Sequence, residues 1–109
     1  MKDFEQIRSV LSDQKEFLRN KYRVKEMSIF GSVVRREEGD ISDIDILVVC
    51  SFKGKRRRLM VEMDRALGEL DYAFDILILT PEEFQRDRNI AGTIGRYAWQ
   101  QGRTIYEQS

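Results

Sequence analysis

The chain has 109 residues, enough for one domain, and a single domain over residues 1–109 is expected. Lysine plus arginine number 19 and aspartate plus glutamate also number 19, so the net charge is zero and no basic excess favours non-specific binding to nucleic acid. Histidine is absent, which excludes a Ser-His or Cys-His catalytic pair and any histidine-ligated zinc site.

Cysteine content and hydropathy bear on the compartment. The single cysteine, Cys50, cannot form an internal disulfide, so a reducing compartment and a role as a small buried apolar residue are expected. No apolar run reaches the length of a membrane span, and there is no signal-peptide pattern. We therefore expect a cytoplasmic protein that does not cross a membrane.

Apolar periodicity divides the first half of the chain into alternating helices and strands. The second strand is nearly continuous in apolar residues, which predicts that both of its faces are covered. The first predicted element is an amphipathic helix over residues 3–19, which includes Phe17 in its apolar stripe and stops at Asn20. The elements predicted after it are a strand Val24–Phe30, a short helix Ser32–Glu38, a turn at Gly39-Asp40 and a strand Ile44–Cys50.

The second half continues the alternation. Thr80, Pro81 and Glu83 form a strong helix start, because a threonine cap, a proline in the first turn and a glutamate three residues after the cap make a capping box. The predicted elements are a helix Lys55–Leu70, a strand Tyr72–Leu79, a helix after Thr80, a helix from Ile90 to near Gly102 and an extended segment Arg103–Tyr106 that packs back.

Two aspartates stand at the start of the second strand. Side chains alternate along a strand, so Asp43 and Asp45 point to one face and Ile44 to the other. Two carboxylates at about 4 Å repel by roughly 4 kcal/mol at an effective dielectric near 20, so one is protonated or a cation lies between them. Carboxylates without sulfur or imidazole ligands suit Mg²⁺, although two solvated aspartates would give the same pattern.

A glycine and a serine follow the first strand. Gly31 permits a tight turn, and Ser32 can cap the next helix, whose first backbone N–H groups would point at an anion. The simpler alternative is a capped helix with no ligand. Arg35, about one turn into that helix, could reach a phosphate or pair with a carboxylate.

Two further charged features stand out. Asp75 interrupts the apolar strand, where a buried lone charge is costly unless it is paired or bound to metal, so it is the third ligand candidate. A basic cluster runs from Lys53 to Arg58; it is either a solvated face or a contact to nucleotide phosphates or an acidic partner.

Together, Gly31-Ser32, Arg35, Ser42-Asp43-Ile44-Asp45 and the later Asp75 resemble the signature of polymerase-β-type nucleotidyltransferases. The small size and the ending from Gly102 to Glu107 resemble the minimal nucleotidyltransferase group, and the resemblance covers about Val24 to Glu107.

The resemblance implies an α/β (α+β) fold, with a mixed twisted sheet flanked by helices. It implies two Mg²⁺ ions held by Asp43, Asp45 and Asp75, and an ATP triphosphate held by Gly31 and Ser32, with Arg35 and Ser42 as further nucleotide-binding candidates. The reaction would transfer AMP to a hydroxyl group. Relatives often have a small residue and a glycine where this chain has Val34 and Arg36. This difference affects the expected shape of the helix after Gly31-Ser32, but it does not change the proposed ligands.

Larger relatives carry a second domain that binds the acceptor, so here a partner or a second copy of the chain is expected to bind or be the acceptor. Minimal members resemble antitoxins that silence an all-helical HEPN-type toxin by AMP transfer, which is the leading hypothesis. The alternative is a non-catalytic module that neutralises its partner by contact alone. Transfer to a small molecule lacks support because no acceptor-binding domain is visible.

Overall fold

The structure is a computed structural model, and it describes residues 4–30, 44–68 and 74–107. Helices and strands alternate through these ranges much as the periodicity predicts. The predicted helix Ser32–Glu38 and the predicted turn at Gly39-Asp40 lie outside the described residues. The described elements are α1 (Phe4–Ser12), α2 (Lys15–Tyr22), β1 (Glu26–Phe30), β2 (Ile44–Val49), α3 (Arg56–Leu67), β3 (Phe74–Leu79), α4 (Pro81–Asp87), α5 (Ile94–Gln101) and β4 (Arg103–Glu107).

The four described strands form one mixed sheet in the order β3-β2-β1-β4. β1 pairs antiparallel with both β2 and β4, whereas β2 and β3 are parallel. A parallel pair needs a crossover connection, and α3 lies in the connection between β2 and β3. This architecture confirms the predicted mixed sheet flanked by helices.

Helices cover both faces of the sheet, and each face has its own apolar core. The larger core joins α1, α2 and α3 to one face, where the side chains of Ile44, Ile46 and Val48 alternate inward. The smaller core joins α4 and α5 to the other face, through Phe84 and Ala98. Every residue of β2 except Asp45 is buried, which confirms that both faces of this strand are covered.

The prediction of one helix over residues 3–19 was wrong. The chain forms α1 and α2 instead, with a break between Ser12 and Lys15, and α2 continues past Asn20 to Tyr22. Arg23 then adopts a left-handed conformation with φ 56°, which ends the helix. Because the break changes the direction of the apolar stripe, Phe17 is 42% exposed and its ring contacts Tyr22 edge to face.

The C-terminal helix also begins later than predicted. Thr93 caps α5 by accepting a hydrogen bond from the backbone N–H of Arg96 at 3.1 Å, so Ile90 lies in the turns before the helix. Two glycines leave no room for a side chain: a Cβ atom on Gly95 would lie 2.8 Å from Cβ of Asp87, where the helix packs on its neighbour, and one on Gly102 would lie 2.3 Å from the carbonyl oxygen of Ala98 at the end of the same helix. The predicted extended tail is confirmed as β4, which pairs with β1.

Candidate active site

One row of residues crosses three strands at the same end of the sheet. Phe30 is the partner of Asp45 in the β1–β2 pair, and Asp45 is the partner of Asp75 in the β2–β3 pair. Neighbouring strands lie about 4.8 Å apart, and paired positions project their side chains to the same face. The two carboxylates are therefore immediate neighbours on one face of the sheet.

Apolar side chains pack over Phe30 at the β1 end of the row, whereas Asp75 at the β3 end is exposed. Further along β2 and β3, Leu47, Val49 and Leu79 pack with Phe84 of α4 in the smaller core. Asp45 is half-buried, and Asp75 is exposed, although it stands inside an apolar stretch of sequence. The row thus has a buried apolar residue, Phe30, at one end and a solvent-accessible carboxylate, Asp75, at the other.

The prediction that Asp75 is a buried charge was wrong, because its position in the sheet leaves the side chain exposed. β3 is the edge strand of the described sheet, and Asp75 is only its second residue. A carboxylate at such a position remains hydrated and carries little desolvation cost. The reason to consider Asp75 a functional residue is therefore its position beside Asp45.

The remaining site candidates are adjacent in sequence to described residues. Gly31, Ser32, Arg35, Ser42 and Asp43 all lie outside the described ranges. Phe30, which precedes Gly31, and Ile44, which follows Asp43, lie at the same end of neighbouring strands, because Phe30 pairs with Asp45. Within residues 4–30, 44–68 and 74–107, no three carboxylate or cysteine side chains form a group that could hold a metal ion.

The basic cluster from Lys53 to Arg58 lies beyond the other end of β2. Asp45 and Val49 are four residues apart, which separates them by about 13 Å in an extended strand, and the cluster follows Val49. Arg56 donates from Nη2 to both carboxylate oxygens of Glu83 at 2.6 Å, and its guanidinium lies 5.4 Å from the centroid of the Phe52 ring. The described structure therefore places the cluster away from the carboxylate row.

Sequence reasoning missed an aromatic contact at the end of the row. The ring of Tyr97 in α5 meets the ring of Phe30 edge to face, with the centroids 6.0 Å apart and the planes at 74°. Tyr97 is far from Phe30 in sequence, and its spacing from Ile94 and Ala98 indicates an apolar helix face without identifying the residue that the face contacts. No local pattern could have paired these two rings.

Comparison with known proteins identifies the family. The family described as Polymerase beta, Nucleotidyltransferase matches residues 12–109. The chain belongs to this nucleotidyltransferase family. The resemblance seen in the Gly-Ser and Asp-x-Asp motifs is therefore confirmed.

Two curated relatives are archaeal proteins. A Methanocaldococcus jannaschii protein, whose name assigns protein adenylyltransferase activity provisionally, is 46% identical over 48 residues, which is 44% of this chain and 49% of that protein. Protein adenylyltransferase MntA of Thermococcus cleftensis is also 46% identical over 48 residues, 44% of this chain and 48% of its own length. The matched segment thus spans about half the length of these relatives.

A solved structure shows the same fold. A chain in the crystal structure of a toxin–antitoxin with AMP-PNP superposes with a TM-score of 0.61 at 17% identity, over 90% of this chain and 74% of that chain. At this identity the likeness establishes the nucleotidyltransferase fold alone.

No helix in the described ranges is long and apolar enough to cross a membrane.

Proposed function

We propose that this chain is the catalytic module of an adenylyltransferase that transfers AMP from ATP to a hydroxyl group of a protein partner. The observation that supports this most is the pairing of Asp45 with Asp75 at one end of the sheet, directly across from Phe30. Family membership supports nucleotidyl transfer, and the names of the relatives support a protein acceptor.

The carboxylate pair fits a hard divalent cation. Asp45 and Asp75 present oxygen donors from neighbouring strands, and an exposed Asp75 leaves room for water and phosphate oxygens around an ion. We propose that these two residues, with Asp43, hold two Mg²⁺ ions. When bound, Mg²⁺ would offset the negative charge of the triphosphate and of the phosphoryl group in the transition state.

The residues of the chain have separate roles in this reaction. Gly31 and Ser32 hold the triphosphate, assisted by Arg35 and Ser42. The acceptor oxygen forms a bond to the α-phosphorus of ATP, the bond from that phosphorus to the bridging oxygen of the β-phosphate breaks, and pyrophosphate leaves. Asp75, the exposed member of the pair, accepts the proton of the acceptor hydroxyl at a carboxylate oxygen.

The acceptor is proposed to be a HEPN-type toxin, which AMP transfer silences. Support comes from the fold, which this chain shares with a component of a toxin–antitoxin complex, and from the adenylyltransferase names of the relatives. A hydroxyl-bearing side chain of a folded protein can approach Asp75 because that carboxylate is exposed.

Replacement of the paired carboxylates tests the proposal. Asp45→Asn and Asp75→Asn each remove one charge with almost no change in volume, so we expect each to lower AMP transfer by at least about 100-fold while the fold persists. Asp64→Asn is the matched control, since Asp64 is an exposed aspartate of α3, which packs on the opposite face of the sheet.

The measurement is transfer of label from ATP carrying ³²P on the α-phosphate to the protein encoded by the neighbouring gene, in Mg²⁺. Transfer by wild type and Asp64→Asn alone supports the assignment. Full transfer by Asp45→Asn contradicts the proposed metal site. Mg·ATP binding and a stable complex without label in the partner would instead indicate neutralisation by contact.

A further inference from the structure

We propose that one end of the molecule, where two basic segments meet, is a docking surface for single-stranded RNA. This basic surface consists of residues 19–25, at and after the end of α2, and residues 53–58, at the start of α3. Neither segment belongs to the nucleotidyltransferase motifs of the sequence. RNA docking is a second activity, separate from the proposed transfer of AMP.

The charge of the chain is unevenly distributed, although it sums to zero. Residues 19–25 and 53–58 contain nine of the 19 lysine and arginine residues and none of the 19 acidic residues. They therefore carry a net charge of +9, which the rest of the chain balances with −9. Zero net charge was the reason to expect no non-specific binding to nucleic acid, and that reason does not apply to a surface that concentrates one sign of charge.

The two segments meet at the end of the sheet opposite the carboxylate row. The backbone N–H of Lys25 donates to the carbonyl oxygen of Val49 at 2.8 Å, and Phe52 follows three residues later in the chain. Tyr22 and Phe52 both pack against the larger core, so the two segments lie on the same face of the sheet. Asp45 lies about 13 Å from Val49 along β2, so an occupant of this end leaves the carboxylates accessible.

Most cations of the basic surface have no ionic partner, and several occupy unfavourable positions. Within the described ranges, Arg56 alone among them forms an ion pair, with Glu83 at 2.6 Å. Arg57 and Arg58 lie in the first turn of α3, where the helix dipole favours acidic residues and none is present. Arg23 has φ 56°, a conformation that glycine or asparagine adopts more readily. These positions reduce stability, which points to a role of the cations outside the fold.

Aromatic rings lie among these cations. Phe17 is 42% exposed, and Nζ of Lys21 lies 5.7 Å from its ring centroid and 5.6 Å from that of Tyr22. On the other segment, the guanidinium of Arg56 lies 5.4 Å from the centroid of the half-buried Phe52 ring. Cations that meet phosphates, beside rings on which bases stack, are typical of surfaces that bind single-stranded nucleic acid.

Single-stranded RNA fits this combination better than an acidic protein or a duplex does. The carboxylates of an acidic protein would pair with the cations but would leave the exposed ring of Phe17 without a partner. A duplex hides the faces of its bases, whereas the loops and ends of RNA present unpaired bases. The basic surface therefore matches an RNA strand whose phosphates meet the cations and whose bases stack on Phe17.

Fluorescence anisotropy of a labelled oligouridine of about 20 nucleotides tests the docking surface, in buffer without ATP or Mg²⁺. We expect the wild type to bind, with an affinity that falls steeply as salt is added. Arg57→Gln combined with Arg58→Gln should lower the affinity at least about tenfold and reduce the slope of log K against log salt concentration by about 1.4, because two phosphate contacts are lost. Arg8→Gln combined with Arg65→Gln removes the same charge from exposed positions outside the basic surface and should change the affinity by less than about twofold.

Two further variants separate RNA binding from a structural role and from binding by charge alone. Arg23→Gly should raise the melting temperature, because glycine suits the left-handed conformation, and yet lower the affinity about threefold. Phe17→Ala should lower the affinity for the single strand about fivefold and leave that for an RNA duplex of equal length unchanged. In the AMP-transfer assay, both variants and the Arg57→Gln, Arg58→Gln protein should stay within about twofold of wild type.

Failure of the wild type to bind oligouridine, or equal losses of affinity in the two double variants, would overturn the inference. Displacement of the RNA by polyglutamate at equal charge concentration would indicate an acidic protein as the occupant, and tighter binding of the RNA duplex or of oligothymidine would equally contradict single-stranded RNA. Loss of AMP transfer in the Arg57→Gln, Arg58→Gln protein would assign the surface to the transferase site. Because the binding measurements need no ATP, Mg²⁺ or protein partner, failure of the proposed AMP transfer would not change them.

Discussion

The proposed role of Asp75 depends on its position beside Asp45. Its side chain is exposed at the start of an edge strand, so it carries no burial cost of its own. Beside Asp45, however, it creates a local concentration of negative charge that is well suited to a divalent cation. The proposed loss of transfer in Asp45→Asn and Asp75→Asn follows from this pairing.

The buried thiol of Cys50 is expected to react slowly in the native protein. It is fully buried next to the end of β2, and burial raises the pKa of its thiol to about 11. Because the thiolate is the reactive form, we expect native protein at pH 8 to react with iodoacetamide at least about 100-fold more slowly than unfolded protein. A control that combines Cys50→Ala with Ser51→Cys moves the thiol to an exposed neighbouring position and should restore fast labelling. Fast labelling of native wild type would contradict the buried position.

At the scale of elements, short polar contacts decide where helices begin. Thr80 accepts from the N–H of Glu83 at 3.1 Å, and the Glu83 carboxylate accepts from the N–H of Thr80 at 2.9 Å, which confirms the predicted capping box. Arg56 at the start of α3 donates to the same carboxylate. The cap therefore connects the starts of two helices that lie on opposite faces of the sheet.

Thr80→Ala tests this cap. We expect a loss of about 1 kcal/mol in the free energy of unfolding, because the N–H of Glu83 loses its acceptor, whereas Thr80→Ser should retain most of the stability. Urea denaturation followed by circular dichroism measures both variants. A Thr80→Ser variant as unstable as Thr80→Ala would show that the methyl group, and not the hydrogen bond, matters.

At the scale of the whole molecule, the sheet separates two sites of like charge. The aspartate pair lies at one end, and at the other end Glu26 of β1 pairs with Glu107 of β4. Burial first, and then the negative charge of Glu107, raise the pKa of the Glu26 carboxyl, and the Arg88 guanidinium opposes them by lowering it. The Glu26–Glu107 end is thus a site where ionisation disfavours the folded state.

This pair predicts a pH dependence of stability. Since the pKa of Glu26 is higher in the folded chain than in the unfolded chain, its stabilising contribution is complete below about pH 4.5 and is lost as the pH rises through the raised value. Glu26→Gln should therefore raise the melting temperature at pH 7 and leave it nearly unchanged at pH 4. The gain should be below about 1 kcal/mol, because the group is half-exposed.

Thermal melts across this pH range measure the effect of Glu26→Gln. Glu62→Gln, at an exposed position of α3, is the control and should not change the curve. A melting temperature for Glu26→Gln below that of wild type at pH 7 would show that the attraction of Arg88 outweighs burial and Glu107.

Sequence patterns predict most of the helices and strands and reveal the Asp-x-Asp motif, and the resemblance of the motifs to a known family implies the fold class. The helices and strands follow from local rules, since alternation, apolar runs and caps act over a few residues. Local rules were insufficient at the N-terminus, where one amphipathic pattern had to be divided into α1 and α2. In the structure two separate helices form, and Phe17 lies outside the core although the pattern had assigned it to the apolar stripe.

Only the folded structure shows how distant residues are arranged relative to one another. The register of β2 on β3 places Asp45 beside Asp75, and it depends on how α3 packs in the crossover between them. The same topology puts the basic cluster beyond the far end of β2 and brings Tyr97 onto Phe30. Strand register and helix docking are set by non-local packing of the whole core, so no short segment of the chain encodes them.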